Sequence, residues 1–176
     1  VCYAGPAPQR VQIDGGRVNF WTGVTSNCNL GRDKATATLP RAEDLDFIAG
    51  ASMVASRQFY ETTGPMREDY FLYYEEVDWA LRRGALPLVV AEGFTVYHHA
   101  GTAIGSPTLE RMASPFSFWF KYRSRMMFMR RFRPLALPIA MGYATAKAAQ
   151  LMLQGAAPQA RALLCAVYGL PAPKAV

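Results

Sequence analysis

None of the chain's 13 acidic residues lies beyond position 110. Residues 1–110 carry those 13 acids against 9 Lys or Arg, a formal charge of −4. Residues 111–176 carry 10 Lys or Arg and no acid, a formal charge of +10, which completes the net +6. A chain partitioned in this way presents two surfaces with different partners, one with clustered carboxylates and one that seeks anions. At 176 residues it is long enough for one sizeable domain and too short for two comfortable ones. A hydrophobic content of 51% against 18% charged residues places it among folded, core-bearing proteins.

Cys2, Cys28 and Cys165 are odd in number and widely spaced, with no CxxC. This argues against a disulfide framework or a zinc knuckle and for a reducing compartment. The chain does not begin with Met, and "VCYAG" reads as the middle of a strand, so a further N-terminal part is expected upstream.

Residues 1–45, rich in Gly, Pro, Asn and Thr, read as loops with short strands. "DFIAGASMVAS" (46–56) reads as a buried strand broken by Gly50, a residue small enough for a ligand or another backbone to come close. Ser56 is placed to cap a short helix, "RQFYETT", closed by Gly64. "LPLVV" (86–90) and "FTVYHH" (94–99) read as strands, followed by a Gly-rich loop, "AGTAIGS". From Pro115 onward the pattern is helical and basic, ending in an Ala/Pro-rich, low-complexity tail after Gly155.

"FLYYEEVDWALRRG" (71–84) sets Glu75, Glu76 and Asp78 directly behind an aromatic run. A helix over 75–83 accounts for part of this. Acids in a first turn are favoured by the helix dipole, Arg82 stands four residues after Asp78, and Gly84 can end the helix. Such a helix runs about 13 Å at ~1.5 Å per residue, and the strand ending in His98 returns a comparable distance in ~5 residues. His98 is therefore expected near the acidic head. Carboxylates with a histidine at loop ends suit a hard divalent cation or proton transfer. His99 is the alternative, on the opposite face by strand alternation.

The order of these motifs resembles the C-terminal half of glycosyltransferase family 2, in its bacterial rhamnosyltransferase-like branch. The likeness spans roughly residues 1–133 and is strongest over 46–106, where a Gly-Ala segment, a helix ending in Gly, an aromatic run, Glu-Glu-x-Asp, and a strand ending in His before a Gly/Ser loop follow in turn. "YAG" (3–5) also matches the family's run before the Gly-Ala segment. The resemblance implies an α/β class: the C-terminal portion of a GT-A fold over residues 1–113, then a basic helical extension over 114–176. It implies an inverting transfer of a sugar from a nucleotide-sugar donor to the hydroxyl of a glycan or lipid-linked acceptor. Glu76 stands where the family has its general base, with Glu in place of Asp. Glu75 and Asp78 match acids that shape the acceptor site and the helix start. Gly50 and Ala51 match the cleft floor, Trp79 and Arg125 fall at substrate-binding positions, and His98 matches a ligand of the divalent metal, Mg²⁺ or Mn²⁺. That cation would carry the charge growing on the leaving diphosphate. The family's nucleotide-binding strand and Asp-x-Asp belong upstream and are absent; "DLD" (44–46) imitates the motif in the wrong place. The family often has Arg-Asn in the basic helix, where this chain has Arg125-Met126.

"KYRSRMMFMRRFR" (121–133) carries six cations behind Phe116, Phe118, Trp119 and Phe120. Aromatics followed by cations favour an anionic membrane surface over nucleic acid as the partner, and a solvated basic face is the plain alternative. The run 134–153 has the length to span a bilayer, but Pro138, Lys147 and Gln150 oppose spanning. The expectation is a cytoplasmic protein held peripherally at the inner face of the plasma membrane. A metal-dependent hydrolase ranks low, because no compact ligand motif such as HExxH is present.

Overall fold

The regular structure follows the charge partition. Among the described residues every strand lies before residue 99, and the three long helices all follow residue 114. The structure is a computed structural model that describes residues 1–4, 7–99, 105–108 and 111–173. It is of mixed α and β class and divides into two compact units. The first comprises Val1–Val18, Thr25–Phe71 and Glu75–Ala100, and the second Asn19–Val24, Leu72–Tyr74 and Gly101–Val176. Two short pieces from the expected catalytic region, 19–24 and 72–74, thus belong with the basic helices.

The first unit has two small sheets. β1 (Cys2–Tyr3) pairs in parallel with β4 (Tyr97–His98), setting Tyr3 against His98. β2 (Gly16–Val18) pairs antiparallel with β3 (Thr25–Asn27). Phe47 crosses over β2, its carbonyl accepting from Gly16 N–H at 2.9 Å and its own N–H donating to Gly16 O at 3.2 Å. A Cβ at Gly16 would lie 2.4 Å from the Phe47 ring, so glycine is what lets the ring lie on the backbone.

This single bridge is all the pairing that the Gly-Ala segment makes. The strand expected over 46–56 is a short extended stretch that turns at 50–52, where Ser52 N–H reaches Ala49 O at 3.2 Å. Residues 86–90 are likewise unpaired by any ladder, and Pro87 has no N–H to offer one. The strand expected over 94–99 contracts to Tyr97–His98. Most of the Gly-rich loop (100–106), like Gly5 of "YAG", falls outside the described residues.

The helical expectations fare better. α1 (Arg57–Thr63) is capped by Ser56, whose Oγ accepts from Phe59 N–H at 3.0 Å, and is closed by Gly64 at φ +66°. α2 (Glu75–Leu81) begins at the expected residue and ends two residues early in a tighter turn, with Arg83 N–H on Ala80 O at 3.3 Å.

The second unit is built on α3 (Pro115–Phe132), α4 (Leu137–Leu153) and α5 (Ala157–Val167). Ser114 caps α3 by accepting from Ser117 N–H at 3.1 Å, and Pro115 occupies the first turn, where a missing N–H costs nothing. Ala140, Ala144 and Ala148 recur every four residues and are 0–1% exposed, a stripe that brings neighbouring helices close. Met126, Phe128 and Met129 of α3 and Leu163 and Val167 of α5 complete a core with no exposure at all. Within the Ala/Pro-rich tail, Ala157–Val167 form an ordered helix buried along Ala160, Leu163 and Ala166.

The two short pieces are held by hydroxyl groups. Tyr74 donates to Gly23 O at 2.6 Å, and Ser124 donates to Leu72 O at 2.8 Å. Tyr73 Oη lies 2.6 Å from Ser106 Oγ and 2.5 Å from Ser117 Oγ. These bonds fix a costly backbone. Phe71, Tyr73 and Tyr74 have φ of 62°, 66° and 70°, a region that costs a bulky residue roughly 1–3 kcal/mol. All three cysteines are free, and no described helix is long and apolar enough to cross a membrane.

Ala144→Leu tests the helix packing. Three added carbons at a fully buried contact should lower stability by about 1–3 kcal/mol or more, read from chemical denaturation, whereas the same change at exposed Ala146 should be nearly neutral.

Candidate functional site

The three acids of α2 share a turn and meet three different environments. Asp78 has no exposure. Its Oδ1 accepts from Arg82 Nε at 2.8 Å, the anticipated i, i+4 pair, and its Oδ2 accepts from the buried Tyr70 hydroxyl at 3.1 Å. Arg82 continues to the carbonyls of Thr63 and, at 2.9 Å, Pro65. Trp79 Nε1–H donates to Gly64 O at 2.8 Å. Trp79 of α2 and Arg82 just after it thus satisfy three successive carbonyls where α1 ends. Asp78 is the charge that anchors this arrangement, a structural task for a residue expected at the acceptor site.

Glu75 is half-buried, with Oε2 enclosed and without a hydrogen-bond partner. Burial raises its pKa above the ordinary carboxylate value, and a bond from its own backbone N–H only partly offsets this. Glu76 lines a cleft of about 290 Å³. The walls are otherwise mainly apolar: Met53–Ala55 leading into α1, Phe59 on it, Trp79 beside Glu76, and Leu86–Val89 after α2. Phe59 and Trp79 meet edge to face, with ring centroids 4.8 Å apart, so this wall is stiff.

Gly50 and Ala51 sit in an exposed turn. A Cβ built on Gly50 would stand 4.0 Å from Glu76 Cβ, so the glycine borders the carboxylate's stem although it does not line the cleft. Arg125 is elsewhere, inside the second unit at 3% exposure. Its Nε donates to Tyr74 Oη at 3.0 Å, its guanidinium lies 4.4 Å over the Tyr122 ring, and its Nη1 has no hydrogen-bond partner. The solvated face read for 121–133 therefore does not include this cation.

His98, on β4, has Nδ1 2.9 Å from Gln12 Oε1, leaving Nε2 as the one nitrogen it offers. His99 is exposed. Among the described residues no three His, Cys, Asp or Glu side chains come together as a metal site. One imidazole does not make up the ligand set for Mg²⁺ or Mn²⁺, which prefer several oxygen donors.

Sequence reasoning brought Glu76 and Trp79 to the cleft and passed over Phe59 and the 86–89 wall. Phe59 was findable as a turn-one residue of a capped helix, and Pro87 was the signal that "LPLVV" would stay out of a sheet. Comparison with known proteins returns no match, whether to a family model, a curated protein or a solved structure.

Two substitutions separate the acids. Asp78→Asn should cost about 3 kcal/mol in denaturant unfolding, at the low end for a broken buried pair because Arg82 keeps 20% side-chain exposure. Glu75→Gln should act through pH. A carboxyl whose pKa is raised by folding favours the folded state while protonated, and that contribution is lost as pH rises from its ordinary value of 4.5 through the raised one. The variant should therefore melt higher than the parent chain near about pH 8, with the gain vanishing near about pH 4.

Proposed function

We propose that the cleft beside α2 is the acceptor site of an inverting glycosyltransferase of the family 2 type, with Glu76 as general base. The observation that carries this reading is an acidic residue, Glu76, on the wall of an otherwise mainly apolar, aromatic-lined cleft. Sugar rings present apolar C–H faces to aromatic surfaces, and a lone carboxylate among apolar walls has one thing to do with a hydroxyl, which is to accept its proton. The order of motifs from Gly50 to His98 supports the same reading.

In this reaction the acceptor oxygen attacks the anomeric carbon of the donor sugar. The bond from that carbon to the nucleotide diphosphate breaks, the diphosphate leaves with the electron pair, and the hydroxyl proton passes to Glu76. Inversion follows from a single displacement. The GT-A architecture, the nucleotide-sugar donor and the glycan or lipid-linked acceptor belong to this proposal. So does a divalent ion on the donor diphosphate, to which His98 would offer one nitrogen.

The test is transfer from a panel of nucleotide-sugars to a hydroxylic acceptor, with each variant set beside the parent protein. Glu76→Gln should reduce turnover by roughly 10²–10⁴-fold while leaving acceptor binding within a few fold. Retention of most turnover would remove Glu76 from the role. Release of free sugar in equal amount without acceptor would point to hydrolysis.

A further inference from the structure

The second unit carries a surface that the transfer reaction does not use. α3 ends in Arg130 and Arg131, and Arg133, Pro134 and Leu135 turn the chain into α4. All five are exposed, Leu135 at 96%, and Ile139 in the first turn of α4 is 49% exposed. A second piece of chain joins them from more than a hundred residues away. The Arg133 guanidinium lies 4.9 Å over the Phe20 ring, and the next residue, Trp21, is 66% exposed.

That tryptophan is held in place. Asn19 Oδ1 accepts from Trp21 N–H at 3.0 Å and Thr22 N–H at 3.1 Å, and Asn19 N–H donates to Val24 O at 2.8 Å. Gly23, at φ +71°, has its carbonyl bound by Tyr74, and a Cβ there would come 2.9 Å from Arg125 and Met129 side-chain atoms. The turn therefore sits tight on the buried side of α3 and presents Trp21 outward as a fixed feature.

We infer that this elbow, Trp21 with Arg130–Leu135 and Ile139, is a docking surface for an anionic lipid bilayer. Three observations favour that occupant over others. First, the sequence from 111 onward holds no acid, so the exposed arginines face no negative charge from their own helices. Second, a second copy of the chain meeting this surface symmetrically would set arginine against arginine. Third, a nucleic acid would use the cations and Trp21 but gain nothing from Leu135 and Ile139. A bilayer uses all of them: phosphates for the arginines, the headgroup level for the indole, and the upper acyl region for the aliphatic tips. The aromatics Phe116, Phe118, Trp119 and Phe120, expected from the sequence to lead the contact, are half-buried along α3. The leading residues are instead Leu135 and Trp21.

The test is co-sedimentation of the whole chain with phosphatidylcholine vesicles, with and without phosphatidylglycerol. Binding should require phosphatidylglycerol and fall steeply with added salt. Reversing Arg130, Arg131 and Arg133 to Glu should weaken partition by about a hundredfold or more. Leu135→Ser with Trp21→Ser should weaken it about tenfold without altering charge. Unchanged circular dichroism should accompany both, since these side chains are exposed. A blue shift of tryptophan emission on adding vesicles should disappear in Trp21→Phe. The inference is overturned if the Leu135→Ser, Trp21→Ser variant binds as the parent chain does, which would mean charge alone. Equal binding to neutral vesicles would also overturn it. So would binding to a single-stranded oligonucleotide in preference to vesicles, or a monomer–dimer equilibrium that Leu135→Ser abolishes in the absence of vesicle binding.

Discussion

The first unit depends on a charge with nowhere to go. Asp78 is fully buried on a seven-residue helix, and an isolated carboxylate there would cost several kcal/mol. The chain resolves this with Arg82 one turn on and Tyr70 eight residues back. Arg82, drawn in by Asp78, is then positioned to satisfy carbonyls at the end of α1, and Trp79 satisfies the one between them. Two helices too short to be stable alone become one body. The cleft is the consequence, because its two aromatic walls, Phe59 and Trp79, come one from each helix.

What was legible in the sequence was local. Ser56 and Gly64 mark α1 because capping needs only neighbouring atoms, and the Asp78–Arg82 pair is set by helical spacing. The basic helices were readable from Pro115 for the same reason. What failed was non-local. "DFIAG" has the composition of a buried strand, but a strand is made by its partner, and here the partner is one bridge at Gly16. No sequence signal announced that residues 19–24 would be bonded to Tyr74 and residues 72–74 to α3, since those bonds join a carbonyl to a side chain some 50 residues distant.

The helices of the second unit show how a segment without acids can fold. With ten cations and no carboxylate after residue 110, it cannot use ion pairs within its own helices. Its core is small and apolar, with alanines every four residues where helices meet, and the buried cation among its described residues, Arg125, is stabilised by phenols. Arg125 bonds to Tyr74 Oη and lies on the Tyr122 ring, so a π face and a hydroxyl do the work that a carboxylate does for Arg82. Because the same phenol also bonds Gly23 O, the buried arginine fixes the turn that carries Trp21. The remaining cations are left to the surface.

The clustering of Glu75, Glu76 and Asp78 is therefore three problems with three solutions. Packed side by side in water, three carboxylates would repel one another and weaken the helix they start. Asp78 is neutralised by a guanidinium inside the unit, and Glu75 is shifted toward its uncharged form by enclosure. Of the three acids it is Glu76 that lines the cleft. Had all three been exposed, the helix dipole alone would explain them, at a few tenths to one kcal/mol each. All three instead hold carboxylate oxygens away from solvent, which no helix start requires. The arrangement makes sense if the carboxylate left at the cleft wall is the one the fold is arranged to present.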